Sequence, residues 1–200
     1  MRVGLVGDSQ GVGLRSGLDG ALARRGHQLA AAAVQTGATL RVLAGKAAAM
    51  PEGLDLLVIV SGGGNDGTSV TSPARWLADV RALAAAAQGR GPRAVVWVGP
   101  MPAREGLAAA GYKLAARAGL RAALAGTGVR WLDGFPLAEG VSPRADGLHF
   151  DAAGYRTMAE RLAPLLLEPP APSTGVLALA GVSGLVGLGA LAWAFTRPRR

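Results

Sequence analysis

The chain has 200 residues, enough for one domain of ordinary size, and no repeat with a period of roughly 20 to 50 residues is visible. It contains no cysteine, which excludes disulfides, thiolate zinc ligands and thiol catalysis. The net charge of +8 comes from scattered arginines with few aromatic residues, a pattern that argues against nucleic-acid binding.

Short apolar runs alternate with helix-like segments along residues 1–167, which we interpret as one domain. Strands are predicted at 2–6, 27–34, 54–60, 94–98 and 129–132. Helices are predicted over the apolar spacing at 14–22, over 40–49, after Pro73, over 107–124 and over 152–167. This alternation predicts an α/β fold, in which a five-stranded parallel sheet carries helices on both faces. Ligands of such sheets bind at the carboxyl ends of the strands.

The C-terminal part of the chain differs in composition from the predicted domain. Residues 168–174 are rich in proline and predict a short extended linker. Residues 175–195 contain no charged side chain, and about 21 residues at a rise of about 1.5 Å are long enough to cross a bilayer. We therefore predict a single-pass membrane protein with a C-terminal transmembrane helix and a basic tail at 196–200.

The side of the membrane on which the domain lies is left open by the sequence. The arginines of the tail favour a cytoplasmic C-terminus and an external domain, yet no signal peptide precedes the first predicted strand. A cytoplasmic domain on a tail anchor, a start further upstream, and export by a non-Sec route or in a viral particle all remain open. A cell-wall sorting signal at 171–175 is a fourth alternative. The oligomeric state is also open.

Residues suited to nucleophilic catalysis follow the predicted strands. Ser9 follows the first strand and precedes a helix, whose free N–H groups favour an oxyanion, although a serine in this place is commonly a helix N-cap. Near the C-terminal end of the domain, Asp146 precedes His149 by three residues. A carboxylate at this spacing can orient an imidazole as a general base, and the alternative is an ordinary surface turn.

Two further loops offer groups that could stabilise an oxyanion. Asn65 lies in a glycine-rich loop after the third strand, where its amide can donate a hydrogen bond. Such loops also serve as simple turns or phosphate cradles, but no lysine follows, which excludes a Walker loop. Gly37 follows the second strand, where its backbone N–H could be another donor.

Together these blocks resemble the SGNH or GDSL hydrolase family over roughly residues 2–166. The matching blocks are Gly7-Asp8-Ser9, Gly37, Gly63-Gly64-Asn65-Asp66 and Asp146-Gly147-Leu148-His149. The resemblance implies a flavodoxin-like three-layer α/β/α sandwich. It also implies that Ser9, Asp146 and His149 form a catalytic triad, and that Ser9 N–H, Gly37 N–H and the Asn65 side chain form the oxyanion hole. Gln10 departs from the pattern, which has leucine there.

The resemblance implies a serine esterase that forms an acyl-enzyme on Ser9. No cofactor is expected for such chemistry, and a hydrolytic zinc site is disfavoured because His27 and His149 are the only histidines and form no HExxH-like motif. Short loops at 68–73 and 101–105 favour small acyl groups, such as acetyl on O-acetylated carbohydrate or cell-envelope material. The alternatives are a lipase or lysophospholipase, and a membrane-tethered binding module without turnover.

Overall fold

Five parallel strands form the central sheet in the computed structural model, which describes residues 1–66 and 72–168. The strands are β1 (Arg2–Gly7), β2 (Gln28–Val34), β3 (Leu56–Val60), β4 (Ala94–Val98) and β5 (Arg130–Leu132). Their spatial order is β2-β1-β3-β4-β5, and each neighbouring pair is parallel. The predicted sheet is confirmed, and the strand ends differ from the predicted ones by one or two residues at most.

Helices cover both faces of the sheet. They are α1 (Ser9–Ala23), α2 (Leu40–Ala48), α3 (Pro73–Gln88), α4 (Ala108–Leu124) and α5 (Ala152–Leu167), with a short 3-10 turn at Pro136–Ala138. Because side chains alternate along a strand, Val58 of β3 packs in the layer with α1 and α5, whereas Ile59 packs in the layer with α2, α3 and α4. The predicted three-layer sandwich is therefore confirmed.

The position of β1 defines the crevice where a site is expected. The chain adds β2 on one side of β1 and β3 on the other, so the strand order reverses at this point. Gly7 at the end of β1 pairs with Val34 of β2 and with Val60 of β3. The segments that follow these three strands consequently begin side by side, at the edge where α/β sheets bind ligands.

Glycines on α1 allow it to pack closely against α5. A Cβ atom added at Gly13 would lie 2.3 Å from ring carbons of Tyr155, and one added at Gly17 would lie 3.0 Å from the Cβ atom of Ala159. These distances leave no room for a larger residue at Gly13. The missing side chain is thus what admits the tyrosine ring between the two helices.

Replacing Gly13 with alanine is expected to lower the free energy of unfolding by about 1 to 3 kcal/mol, because the added methyl group would overlap the Tyr155 ring. Urea denaturation followed by circular dichroism measures this change. Gly45→Ala is the matched control, since a Cβ at this exposed helical position meets nothing within 4 Å. We expect this variant to be unchanged or more stable by up to about 1 kcal/mol. Equal destabilisation of both variants would contradict the packing argument.

The last helix ends at the edge of the sheet opposite its start. α5 begins just after His149, and its last turn is held by Arg130, the first residue of β5. The Arg130 guanidinium donates to the carbonyls of Leu165, Leu166 and Glu168 at 2.9, 3.1 and 2.9 Å. The described chain therefore ends at the amino edge of the sheet.

No helix within residues 1–66 and 72–168 combines the length and the apolarity needed to cross a bilayer. The predicted transmembrane segment at 175–195 and basic tail at 196–200 lie outside the described residues, as does the predicted linker after Glu168. These assignments remain predictions from the sequence.

Candidate active site

The nucleophile candidate is the first residue of α1. Asp8 is the N-cap of this helix, and its carboxylate accepts a hydrogen bond from the Gln10 backbone N–H at 2.9 Å. The alternative that Ser9 is the cap is therefore wrong. Because Asp8 satisfies the helix terminus, the Ser9 hydroxyl is available for another partner.

That partner is His149. Ser9 Oγ lies 2.9 Å from His149 Nε2, and His149 Nδ1 lies 2.9 Å from Asp146 Oδ2. The three residues predicted from the sequence are thus joined in one line of hydrogen bonds. The Asp146 and His149 side chains are 46% and 35% exposed, so the line opens to solvent at the edge of the sheet.

Asp146 is held as a carboxylate by its own turn. Its Oδ1 atom accepts the backbone N–H groups of His149 at 2.9 Å and of Leu148 at 2.8 Å. These bonds, followed by the one from the His149 side chain, hold the pKa of Asp146 well below its usual value. An ionised carboxylate can only accept hydrogen bonds, so a neutral imidazole must donate from Nδ1 and leaves Nε2 as an acceptor for the Ser9 hydroxyl.

The two predicted oxyanion loops are in contact with each other. Asn65 Nδ2 donates to the carbonyl of Ala38 at 2.9 Å, which joins the glycine-rich loop to the turn after β2. Gly37 in this turn has a φ of +75°, a conformation that favours glycine. The turn is tied to β1 because the Gln35 N–H donates to the Gly7 carbonyl at 2.9 Å. The structure therefore brings the Gly37 and Asn65 segments to the end of β1, next to Ser9.

A buried serine links the nucleophile turn to the glycine-rich loop. Ser61 Oγ donates to Asp8 Oδ2 at 2.9 Å and accepts the Gly63 N–H at 3.1 Å. The Ser61 carbonyl accepts from the Trp97 indole at 2.9 Å, and Tyr112 donates its hydroxyl to the Gly63 carbonyl. These bonds fix the backbone that leads to Asn65. Such preorganisation is what a transition-state donor requires.

The sequence did not reveal that two ionisable side chains, Asp8 and Lys113, are buried and that their charges interact. Burial raises the pKa of Asp8, although hydrogen bonds from Gln10 and Ser61 and the charge of Lys113 act in the opposite direction. Burial lowers the pKa of Lys113 on α4, and the charge of Asp8 opposes this shift. Lys113 lies three and seven residues before the buried Ala116 and Leu120. The sequence did contain a signal for this burial, because Lys113 is a charged residue at a position of α4 where the apolar spacing predicts a core residue.

A second buried carboxylate holds the start of α2. Asp66 is 3% exposed, and its Oδ2 atom accepts the Leu40 N–H at 2.8 Å. Burial, more than any other cause, raises the pKa of Asp66 to about 6. This bond ties the glycine-rich loop to the start of α2.

Metal-binding groups are not gathered in the described part of the chain. Within residues 1–66 and 72–168, no three histidine, aspartate or glutamate side chains lie close enough together to hold a metal ion.

Comparison with known proteins agrees with this architecture. Residues 5–157 match the GDSL-like lipase/acylhydrolase family, and the chain belongs to this family. No curated protein matches the chain.

Solved structures of similar fold cover most of the chain. TesA is 26% identical, with a TM-score of 0.65 over 84% of this chain and 98% of its own. The lipase/acylhydrolase from Enterococcus faecalis is 20% identical, with a TM-score of 0.64 over 86% of this chain and all of its own. A variant of Axe2, an acetyl-xylooligosaccharide esterase from Geobacillus stearmophilus, is 14% identical, with a TM-score of 0.65 over 84% and 94% of the two chains.

Proposed function

We propose that the protein is a serine esterase in which Ser9 is the nucleophile, His149 the general base and Asp146 the residue that orients His149. The observation that carries this proposal is the hydrogen-bonded line from Ser9 Oγ through the His149 ring to Asp146 Oδ2, with both distances 2.9 Å. Membership of an acylhydrolase family supports it.

The reaction proceeds in two halves. His149 Nε2 takes the proton of Ser9 as Oγ bonds to the ester carbonyl carbon, and the resulting imidazolium gives that proton to the departing alcohol. Water then attacks the acyl-enzyme with the same histidine as base, which frees the carboxylic acid and restores Ser9. In both halves the negative oxygen is stabilised by the N–H groups of Ser9 and Gly37 and by the Asn65 amide.

The proposed substrate is a small acyl ester, with an acetyl group on carbohydrate or cell-envelope material as the leading candidate. The exposure of Asp146 and His149 supports an open site that a bulky alcohol can approach. The same fold occurs in an acetyl-xylooligosaccharide esterase, although 14% identity extends the likeness to the fold alone.

Two measurements test this function. A fluorophosphonate probe is expected to label the purified protein at Ser9, and p-nitrophenyl acetate is expected to be hydrolysed faster than esters of longer chain length. A preference for octanoate or palmitate would contradict the small-acyl assignment and favour a lipase or lysophospholipase. Absence of both labelling and hydrolysis would favour the binding module.

We further propose that residues 175–195 anchor the protein in a membrane, because this run of the sequence is uncharged and of sufficient length. The test is carbonate extraction of membranes from cells that express the full chain, together with protease access to tags at each end. Retention in the membrane pellet supports the anchor. Release into the supernatant would contradict it, and the protected tag assigns the side.

A further inference from the structure

We propose that Gln10 is a positioning residue for His149. Its side chain fixes the backbone at His149 so that the imidazole is held beside Ser9. The proposal rests on the proposed function of Ser9 and His149. Two neighbouring contacts motivate the proposal. Ser9 Oγ is hydrogen-bonded to His149 Nε2, and Gln10 Nε2 donates to the carbonyl of Leu148 at 2.9 Å. Two consecutive residues of α1 thus bind two consecutive residues of the loop before α5.

The contact fixes one peptide group from both ends. The peptide between Leu148 and His149 has its carbonyl bound by Gln10 and its N–H bound by Asp146 Oδ1 at 2.9 Å. A peptide plane held at oxygen and at nitrogen has little freedom to rotate. Since the imidazole is attached to the next Cα atom, its approach to Ser9 is set by this plane.

The orientation of the Gln10 amide is itself fixed. The Leu148 carbonyl can only accept, so the amide nitrogen must face it, and Gln10 Oε1 then accepts the Tyr155 hydroxyl at 3.0 Å. Tyr155 reaches this position because its ring lies over Gly13, where any side chain would collide with it. Tyr155 is 7% exposed and Gln10 is 5% exposed, so water competes little for the hydrogen bonds of the Gln10 amide.

Gln10 is buried, so its amide needs hydrogen-bond partners within the protein. It occupies the position four residues before the buried Leu14, where α1 faces the interior and an apolar residue would be expected. An amide there is desolvated and must find partners for both its oxygen and its nitrogen. Both partners lie on the segment that carries His149 or immediately follows it.

Gln10→Met tests the proposal, because methionine has a similar length and cannot donate a hydrogen bond. We expect kcat for p-nitrophenyl acetate to fall about tenfold or more with KM within about twofold of wild type, since the base is misplaced while substrate contacts remain. The rate of fluorophosphonate labelling at Ser9 should fall in parallel. Gln88→Met is the control: Gln88 Nε2 also donates to a backbone carbonyl, that of Thr127, but at an exposed position in another part of the fold. This control should keep wild-type kcat.

Tyr155→Phe provides an independent variant that keeps the packed ring. Removing the hydroxyl frees the Gln10 amide to rotate, so kcat should fall several-fold, and the double variant should be no slower than Gln10→Met alone. A purely structural role would lower the melting temperature and leave kcat unchanged at a temperature where all variants are folded. That result, or additive effects of the two substitutions, would overturn the proposal, and Tyr155→Phe alone decides it if Gln10→Met does not fold.

The labelling rate separates this proposal from the esterase function. Wild-type protein that labels at Ser9 but hydrolyses no ester would contradict the esterase function and leave the comparison of labelling rates valid for Gln10. Wild-type protein that neither labels nor hydrolyses would overturn both.

Discussion

Replacing Ser9 with alanine is expected to lower ester hydrolysis by on the order of ten-thousandfold or more, because the acyl-enzyme can no longer form. The substitution removes one oxygen whose hydrogen bond in the structure is to His149 Nε2. The cap of α1 is provided by Asp8, so the fold should be kept. Initial rates with p-nitrophenyl acetate and labelling with a fluorophosphonate measure the loss.

Ser16→Ala is the control for this variant. Ser16 is an exposed serine about two turns further along the same helix. Replacing it makes the same chemical change without removing the contact to His149. We expect full activity and full labelling from this control. Wild-type activity of the Ser9→Ala variant, confirmed by mass spectrometry to carry the substitution, would refute the assignment of the nucleophile.

Replacing Asn65 with alanine is the second large effect that we expect. Loss of one oxyanion donor should lower kcat on the order of a hundredfold or more, because the negative oxygen in the transition state loses a preorganised hydrogen bond. KM for a small ester should change little, since the ground-state carbonyl carries only part of that charge. Steady-state kinetics with p-nitrophenyl acetate separates the two parameters.

The contact between Asn65 and Ala38 makes a second explanation testable. Asn65 Nδ2 also joins two loops, so its removal could act by loosening the fold instead of by removing a donor. Thr39→Ala is a useful comparison, because Thr39 caps α2 in the same turn by accepting a hydrogen bond from the Val42 N–H. Thr39→Ala should lower the free energy of unfolding by about 1 kcal/mol with little change in kcat. An equal loss of kcat in both variants would contradict the oxyanion role.

The sequence was sufficient to predict the order of the strands and helices, because continuous apolar runs such as 54–60 are typical of buried parallel strands. The start of α1 was harder to place. Four glycines within this helix, at 11, 13, 17 and 20, weaken the helical pattern, and the apolar spacing becomes regular only from Leu14. The structure shows that the helix begins at Ser9 itself.

The parts of the site that sequence patterns missed are polar residues at positions normally filled by apolar ones. Gln10 and Lys113 both occupy buried faces of helices, where a pattern read for hydrophobic spacing treats a polar residue as an interruption. Gln10 donates to Leu148, and the charge of Lys113 interacts with that of Asp8, so each acts on a residue distant in the chain. Only the folded structure brings these distant residues together.

Hydrogen bonds from Arg130 fix the end of α5 at the amino edge of the sheet, and any attachment through the C-terminus would start from there. Sixteen helical residues at a rise of about 1.5 Å separate the start of α5 beside His149 from its end, a span of about 24 Å. The six residues 169–174, fully extended at about 3.5 Å each, reach about 21 Å. An anchor beginning at 175 would therefore be joined to the domain at the end of α5 that lies away from Ser9.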